Sequence, residues 1–354
     1  MKVHVSVNDL QKKLSFVSHA ISARSQLPIL LHILLETKAD RLFLSGTDLE
    51  IGIETNMNAS VEQSGGLAVP AKLFVDLINS LPADTVLLEL KETTLSVSTK
   101  KTKAHLQILA KDEFPVLYEE KGIQIASLEQ ELFKKNVVKV VFASSIDTTR
   151  PSLSGVMIRK GDKGFDLVAT DGYRLSYQKA VGETGSSDGW EKEIIIPSRV
   201  IRESLLLNPS EKTEVCISKK NNQVLFFQNE TVLVGRLIEA QFPPFEKIIP
   251  SSYSTKVFFD REELLKAVKA CSIFARDAGN IIAFSIKQDK IVVFAHTPSM
   301  GENTVEVEAR IEGEEKDIAF NAKYLVDVLS TKDEDAMTLE MTGPLNPGVF
   351  RLEN

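Results

Sequence analysis

The stretch VPAKLFVDLINSL, residues 69–81, begins like a β-strand and continues like a helix. The same pattern returns as IPSRVIRESLLL at 196–207 and as FNAKYLVDVLS at 320–330. Each copy carries a cation at the same point, and these cations are Lys72, Arg199 and Lys323. A unit of about 120 residues that recurs along a chain of 354 predicts three similar domains.

A longer helical pattern precedes each copy, with apolar or small residues at i, i+4, i+7 and i+11 along one face. The three faces are Leu10, Leu14, Val17 and Ile21; Phe133, Val137, Val140 and Ser144; and Leu264, Val268, Cys271 and Ala275. Short alternating stretches, separated by turn residues, lie between the helices and predict antiparallel strands. The pattern therefore predicts an α+β fold, with helices on one face of antiparallel sheets.

A Thr-Asp pair ends an apolar run in the first two repeats, which read LFLSGTD at 42–48 and DLVATD at 166–171. The third copy, IVVFAHT at 291–297, lacks the pair. Asp48 and Asp171 each follow a threonine at a strand end, where an aspartate side chain accepts hydrogen bonds from turn amides. This turn role is favoured over a pair of catalytic carboxylates.

Polar connectors divide the chain into domains at 1–122, 123–250 and 251–354. The segment GETGSSDGW at 182–190 is interpreted as a flexible insertion without a role in phosphate binding. The third domain stops at Asn354, one strand short of the other two. Either the chain is truncated or the third domain is built differently, and truncation is favoured because two strand edges would otherwise stay open.

Composition excludes several functional classes. The 42 Lys and Arg against 49 Asp and Glu give a net charge of −7, which argues against a simple basic nucleic-acid binder. No signal core and no apolar run near 18 residues occur, so a cytoplasmic protein without a membrane partner is predicted. Cys216 and Cys271 are predicted to be buried thiols. Metal-ligand spacings, nucleotide loops and hydrolase motifs are absent, so no metal, cofactor or catalytic residue is predicted.

The recurrence of the cation at the start of the second helix predicts a basic surface despite the acidic total. Further lysines and arginines lie off the apolar faces of the first helices. Such a surface suits phosphates but reads no bases, so binding to DNA is expected to be independent of sequence and strongly dependent on salt.

Four phrases give the repeats a family resemblance: LPIL (27–30), GTDLE (46–50), ATDGYRL (169–175) and QFPPFEKIIP (241–250). The chain resembles, over its whole length, the beta subunit family of bacterial DNA polymerase III, the sliding clamps. The resemblance implies three clamp domains per chain and a homodimer closed into a ring, with sheets outside and helices lining a hole around double-stranded DNA. It also implies a non-catalytic processivity factor that a clamp loader opens, and that the polymerase alpha subunit and other clamp-motif proteins bind.

The resemblance also assigns site residues. The family's peptide-binding cleft, between the second and third domains, corresponds to Leu153, Thr170, Gly172, Tyr173, Arg174, Leu175, Pro243, Lys247 and Ile248. Its apolar members would hold hydrophobic peptide side chains, while Arg174 or Lys247 would orient polar groups. Leu175 and Ile248 are alternatively plain core residues. The family's cleft is completed by C-terminal residues that lie beyond Asn354.

DNA and dimer contacts carry over in the same way. Family DNA-contacting positions correspond to Arg24 and Arg199, and the in-register recurrence adds Lys72 and Lys323. A further polar DNA contact of the family falls at Asp147, where an acid would repel phosphate. The dimer interface corresponds to Ala104 and Leu106 in the first domain and to Ile273 and Phe274 in the third.

Two alternatives stay open. The first is a peptide-binding scaffold of the same fold that does not load onto DNA, which Asp147 and the short third repeat favour. The second, more weakly supported, is an enzyme that uses Asp48 or Asp171.

Overall fold

The computed structural model describes residues 1–161, 164–181, 183–184, 193–299, 301–331 and 335–352. The insertion predicted at 182–190 therefore lies outside the described residues, except for Glu183 and Thr184. No helix among the described residues is long and apolar enough to cross a membrane.

The first repeat contains helices α1 (Val7–Val17) and α2 (Ala71–Ser80). Its strands are β1 (Lys2–Ser6), β2 (His32–Lys38), β3 (Arg41–Thr47), β4 (Ile51–Asn58), β5 (Ser60–Gln63), β6 (Gly66–Pro70), β7 (Thr85–Lys91), β8 (Thr94–Ser98), β9 (Lys103–Gln107) and β10 (Leu109–Ala110).

The second repeat contains helices α3 (Gln130–Val141) and α4 (Ser198–Ser204). Its strands are β11 (Ile123–Glu129), β12 (Gly155–Gly161), β13 (Gly164–Thr170), β14 (Leu175–Val181), β15 (Glu183–Thr184), β16 (Ile194–Pro197), β17 (Lys212–Ser218), β18 (Gln223–Gln228) and β19 (Thr231–Arg236).

The third repeat contains helices α5 (Arg261–Ala275) and α6 (Ala322–Leu329). Its strands are β20 (Thr255–Asp260), β21 (Ile281–Lys287), β22 (Lys290–Thr297), β23 (Gly301–Gly313), β24 (Lys316–Asn321), β25 (Ala336–Met341) and β26 (Val349–Leu352). In the described part of the chain this repeat has no strand after β26.

The apolar faces predicted for the three first helices are confirmed. Every predicted residue on them is buried except Ile21, which lies beyond the end of α1 and is half-buried. Ser6 and Asp260 cap the starts of α1 and α5, because their side chains accept hydrogen bonds from the amides of Asp9 and Glu263. Both predicted thiols, Cys216 and Cys271, are also buried, and burial raises the pKa of each.

Antiparallel sheets form the rest of the fold, as predicted. The strand orders are β5-β1-β7-β8-β9, β10-β6-β2-β3-β4-β19-β18-β17-β11-β15, β14-β13-β12-β16 and β24-β21-β22-β23-β20-β25-β26. The second of these sheets runs from the first repeat into the second through the pairing of β4 with β19, in which Thr55 lies opposite Thr231 and Ile51 opposite Gly235.

Two compact units result, and they do not coincide with three domains. Unit 1 comprises Met1–Val137, Ser144–Ala169 and Tyr177–Ala240, and unit 2 comprises Val138–Ala143, Thr170–Ser176 and Gln241–Asn354. The shared sheet explains why the first repeat and most of the second form one unit. The domain boundaries at residues 122 and 250 stay a prediction.

A side-chain donor on the first helix joins the two helices of every repeat. Each donor reaches a carbonyl in the last turn of the second helix, where carbonyls have no partner within the helix. The three contacts are Gln11 Nε2 to Ile78 O at 3.0 Å, Gln130 Nε2 to Ser204 O at 2.6 Å, and Arg261 Nη1 to Leu329 O at 2.7 Å. Side chains at two different helical positions, and of two chemical types, thus fill one structural role.

Candidate functional site

The predicted cleft contains a closed turn at the end of β13. Thr170 Oγ1 donates to Arg174 O at 2.6 Å and accepts a hydrogen bond from the Gly172 amide at 3.0 Å. Asp171 Oδ1 accepts from the amides of Tyr173 and Arg174, both at 2.9 Å. Gly172 has φ of 92°, a conformation that favours glycine. The turn leaves the Tyr173 side chain 85% exposed on a braced backbone.

The first repeat contains the same turn after β3. Thr47 Oγ1 donates to Ile51 O at 2.7 Å and accepts from the Leu49 amide at 2.9 Å. Asp48 Oδ1 accepts from the amides of Glu50 and Ile51 at 3.1 and 2.9 Å. The turn role predicted for both aspartates is therefore confirmed, because each carboxylate accepts hydrogen bonds from two backbone amides of its own turn.

Arg174 is the most connected side chain of the second turn. Its Nε donates to Asp171 Oδ2 at 3.1 Å, its Nη1 to Asp327 Oδ2, and its Nη2 to Phe142 O at 2.7 Å. The guanidinium carbon lies 4.4 Å from the ring centroid of Tyr324 and 5.4 Å from that of Phe142. A single side chain thus ties the turn to α6 and to the end of the first helix of its repeat.

The other predicted cleft residues lie on three segments. Pro243 is half-buried, and a short 3₁₀ turn at Phe245–Lys247 leaves Lys247 exposed and Ile248 56% exposed. Ile248 is therefore not a core residue, whereas Leu175 at the start of β14 is half-buried. Leu153 is buried and belongs to unit 1, while the other eight predicted residues belong to unit 2.

Sequence reasoning missed Phe142, Tyr324 and Asp327 as neighbours of the cleft. The sequence did contain a signal for Asp327, since an acid follows each recurrent cation by four residues, as expected for neighbours on one helix face. These pairs are Lys72 with Asp76, Arg199 with Glu203, and Lys323 with Asp327.

The recurrent cations lie where the repeat places them, each as the second residue of α2, α4 or α6. Lys72, Lys323 and Arg24 are exposed, and among the described residues their side chains have no hydrogen-bond or ion-pair partner. Arg199 differs, because its guanidinium contacts Asp48 Oδ2 and donates to His19 O at 3.0 Å. Some of its donors are therefore committed to the contact between the first two repeats.

Asp147 organises its own loop. Its Oδ1 accepts a hydrogen bond from the Thr149 amide at 2.9 Å, and this bond lowers the pKa of Asp147, with a smaller contribution from the charge of Arg150. The Asp147 amide in turn donates to Ser145 Oγ at 3.0 Å. The acidic residue at position 147 thus has a structural role, because its carboxylate accepts a hydrogen bond from the backbone of its own loop.

The predicted dimer residues lie on an edge strand and a helix. Ala104 is half-buried and Leu106 buried on β9, the edge of its five-stranded sheet. On α5, Ile273 is 49% exposed and Phe274 half-buried. In the described part of the chain, no group of three or more His, Cys, Asp or Glu side chains is arranged to hold a metal ion.

Comparison with known proteins agrees with this geometry. Family models for the N-terminal, central and C-terminal domains of the DNA polymerase III beta subunit match residues 1–118, 127–244 and 246–353. A Staphylococcus aureus beta sliding clamp is 30% identical over 94% of this chain and 90% of its own length.

Two solved structures are also similar to this chain. The Bacillus subtilis polymerase sliding clamp has a TM-score of 0.94 at 26% identity, covering 100% of this chain and 96% of its own. A Bartonella birtlesii sliding clamp bound to griselimycin has a TM-score of 0.94 at 25% identity, with the same coverage. The chain therefore belongs to the bacterial DNA polymerase III beta subunit family, the beta sliding clamps that act as processivity factors in DNA replication.

Proposed function

We propose that two copies of this protein form a non-catalytic ring in the cytoplasm, which a clamp loader opens and closes around double-stranded DNA. The observation that carries the proposal is the exposed cation at the same helical position of every repeat. Three such positions in each chain give a repeating set of charges that suits the phosphate backbone. Topological linkage holds the protein on DNA, so the acidic net charge is no obstacle.

Retention on circular DNA tests this function. The protein is loaded onto a nicked circle with a clamp loader and ATP, and bound protein is measured before and after the circle is linearised. Protein that stays on the circle and leaves once ends exist is held topologically. Protein that never stays on the circle but still binds griselimycin would support the alternative scaffold. The carboxylate of Asp147 does not favour that alternative, because it caps its own loop.

Arg24, Lys72 and Lys323 are the proposed DNA contacts with free side chains, and Arg199 adds its uncommitted donors. Replacing Lys72 and Lys323 by Glu is expected to lower retention and to flatten its dependence on salt. Lys160→Glu, on an exposed position of β12, is the matched control and should leave retention unchanged. Equal retention by both variants would contradict the assignment.

The second proposed surface is a peptide-binding site made of the eight predicted cleft residues that belong to unit 2. Exposed Tyr173 and Ile248, with half-buried Leu175, offer apolar surface, and the griselimycin complex of the Bartonella clamp supports a ligand site in this family. Leu175→Asp is expected to abolish griselimycin binding, because a charge would be buried without a partner. Leu49→Asp, the same change at an exposed leucine of the first turn, is the control, and equal loss by both variants would place the site elsewhere.

Two strand edges are proposed to close the ring. Among the described residues, β9 pairs with β8 alone, and Gly301–Glu308 of β23 pair on one side alone, with β22. When the strands of the repeats are matched by their pairing order, β9 corresponds to β19 of the second repeat. In the same way, residues 301–308 of β23 correspond to β4 of the first repeat. Because β4 and β19 join the first two repeats, we propose that β23 of one protomer and β9 of its partner join in the same way.

Charge supports this pairing. Applying the register of β4 and β19 brings Lys101 and Lys103 alongside Glu302 and Glu306 of the partner, with Ala104 and Leu106 on the core face. Lys101→Glu with Lys103→Glu is expected to give monomers in sedimentation velocity. Adding Glu302→Lys and Glu306→Lys to the same chain should restore the dimer. A dimer that survives the first pair of substitutions would contradict the proposed edges.

A further inference from the structure

We infer that Arg174 is a positioning residue of the peptide-binding site: it fixes the Thr170–Arg174 turn on α6 and does not bind the peptide's polar groups. The inference rests on the proposed peptide-binding function of this site. It also assigns supporting roles to Asp327 and Tyr324, which hold the guanidinium.

The hydrogen-bonding capacity of the guanidinium is largely used within unit 2. An arginine side chain has five N–H donors on three nitrogens, in a rigid fork. Each of the three nitrogens of Arg174 already donates: Nε to Asp171, Nη1 to Asp327 and Nη2 to the carbonyl of Phe142. Two carboxylates beside one guanidinium leave no net positive charge to attract an acidic group of a peptide.

The faces of the guanidinium are also covered. The Tyr324 ring lies 4.4 Å away and the Phe142 ring 5.4 Å, both within the range of cation–π contact. Burial raises the pKa of Tyr324, and the charge of Asp171 raises it further. The phenol that lies against the Arg174 guanidinium therefore stays neutral. A ligand that stacked on the guanidinium would have to displace one of these rings.

These contacts set the position of the neighbouring side chains. Arg174 lies between Tyr173, which projects into solvent, and Leu175, which begins β14. Because Arg174 is held in place, the distance between the side chains of Tyr173 and Leu175 is fixed as well. Recognition of a charged peptide group then falls to Lys247, which is exposed and has no side-chain partner among the described residues.

Asp327→Asn separates positioning from direct contact, because the two roles predict opposite signs. Griselimycin binding is measured by titration calorimetry on the intact dimer. If Arg174 positions the turn, loss of the charged acceptor loosens it, and the dissociation constant rises about tenfold. If Arg174 binds the ligand, removal of a competing carboxylate leaves affinity unchanged or makes it tighter, which would overturn the inference.

Three further variants and one measurement complete the test. Tyr324→Phe keeps the ring and should retain wild-type affinity, whereas Tyr324→Ala should weaken binding as Asp327→Asn does. Asp76→Asn, the equivalent acid on α2, is the matched control and should bind as wild type. In wild-type protein, the ¹H–¹⁵N signal of Arg174 Nε should keep its shift when griselimycin saturates the site, and a large change would overturn the inference.

The inference and the function it rests on fail differently. Wild-type protein that does not bind griselimycin would overturn the proposed peptide site, and the inference with it. Wild-type protein that binds, together with an Asp327→Asn variant that binds as tightly or more tightly, would overturn the positioning role alone.

Discussion

The Thr-Asp turns of the first and second repeats have the same hydrogen bonds but different surroundings. In the first repeat, a guanidinium from the second helix of the next repeat, Arg199, reaches Asp48 and the carbonyl of His19. In the second, the corresponding carbonyl of Phe142 accepts from Arg174, which belongs to the turn itself. One local structure therefore supports two different arrangements of charge.

The residues that follow the turns differ more. β4 pairs with β19, and a Cβ on Gly52 would lie 3.1 Å from Leu117 Cδ2, so the connector after the first repeat packs directly on this strand. In that connector Tyr118 donates to Glu54 Oε1 at 3.0 Å and packs edge-on against Phe227.

The second turn leads into β14, an edge strand of its four-stranded sheet among the described residues. The connector after the second repeat leaves the side chains of Lys247 and Ile248 exposed to solvent. The turn is thus a common scaffold, and the two connectors differ in which of their side chains they leave exposed.

The largest expected effect comes from displacing β19, the strand of the second repeat that pairs with β4 of the first. A Cβ on Gly235 of β19 would lie 2.4 Å from Val200 Cγ1 on α4, so Gly235→Ala forces a clash. We expect the free energy of unfolding of unit 1 to fall by about 3 kcal/mol in urea denaturation. Val200→Ala makes room, so the double variant should be more stable than Gly235→Ala alone. Additive losses would mean that the two side chains do not meet.

Removing the turn aspartates should separate structure from binding. Asp48→Ala and Asp171→Ala each leave two turn amides without their charged acceptor, which should lower stability by about 2 kcal/mol in either turn. Hydrogen exchange at Ile51 and Arg174 reports the loosening, and Asn replacements, which keep an acceptor oxygen, should lose less. Griselimycin binding should weaken in Asp171→Ala alone, and an equal loss in Asp48→Ala would contradict the comparison.

The packed connector should respond to alkaline pH. Burial, with the nearby charge of Glu54, raises the pKa of Tyr118 from 10.0 to about 12. A raised pKa means that the neutral phenol favours the folded state below pH 10, and that this contribution is lost as pH rises from 10 towards 12. We expect unit 1 to lose about 1–2 kcal/mol over this range, and Tyr118→Phe to lose less. Identical pH profiles for the two proteins would contradict this.

The smallest effect concerns the residue with positive φ in each turn. Leu49 has φ of 76° where the second turn has Gly172 at 92°. Because a left-handed conformation is unfavourable for leucine and accessible to glycine, Leu49→Gly should stabilise unit 1 by about 1 kcal/mol. Gly172→Leu should destabilise its turn by a similar amount. The same sign for both substitutions in thermal denaturation would show that the two turns are not equivalent.

The local features of the fold could be predicted from the sequence. The helix faces follow from apolar spacing, and the role of Asp48 and Asp171 follows from a short-range preference of aspartate at strand ends. The surroundings of Arg174 could not be predicted in this way, because Asp327 and Phe142 lie 153 and 32 residues away along the chain.

The exposure of Ile248 and the commitment of Arg199 also depend on distant partners. Ile248 has the side chain of a core residue, and only the conformation of its connector leaves it in solvent. Arg199 occupies the same position of the repeat as Lys72 and Lys323, yet it alone of the three has ion-pair and hydrogen-bond partners among the described residues. A repeat in sequence predicts equivalent positions, but the contacts made there depend on the neighbouring repeat.

The side-chain donors that join the helices of each repeat limit how far the repeats are interchangeable. The first residue of the first helix is Val7, Gln130 or Arg261 in turn. A chimera with α1 in place of α5 would put Val7 where Arg261 stands, but α1 also brings Gln11, whose acceptor Ile78 occupies the same place in α2 as Leu329 does in α6. Only a chimera that also replaced Gln11 by Ala would leave the carbonyl of Leu329 without this donor, and an unpaired buried carbonyl costs about 1–3 kcal/mol. The first helices are therefore exchangeable only while each keeps its own side-chain donor.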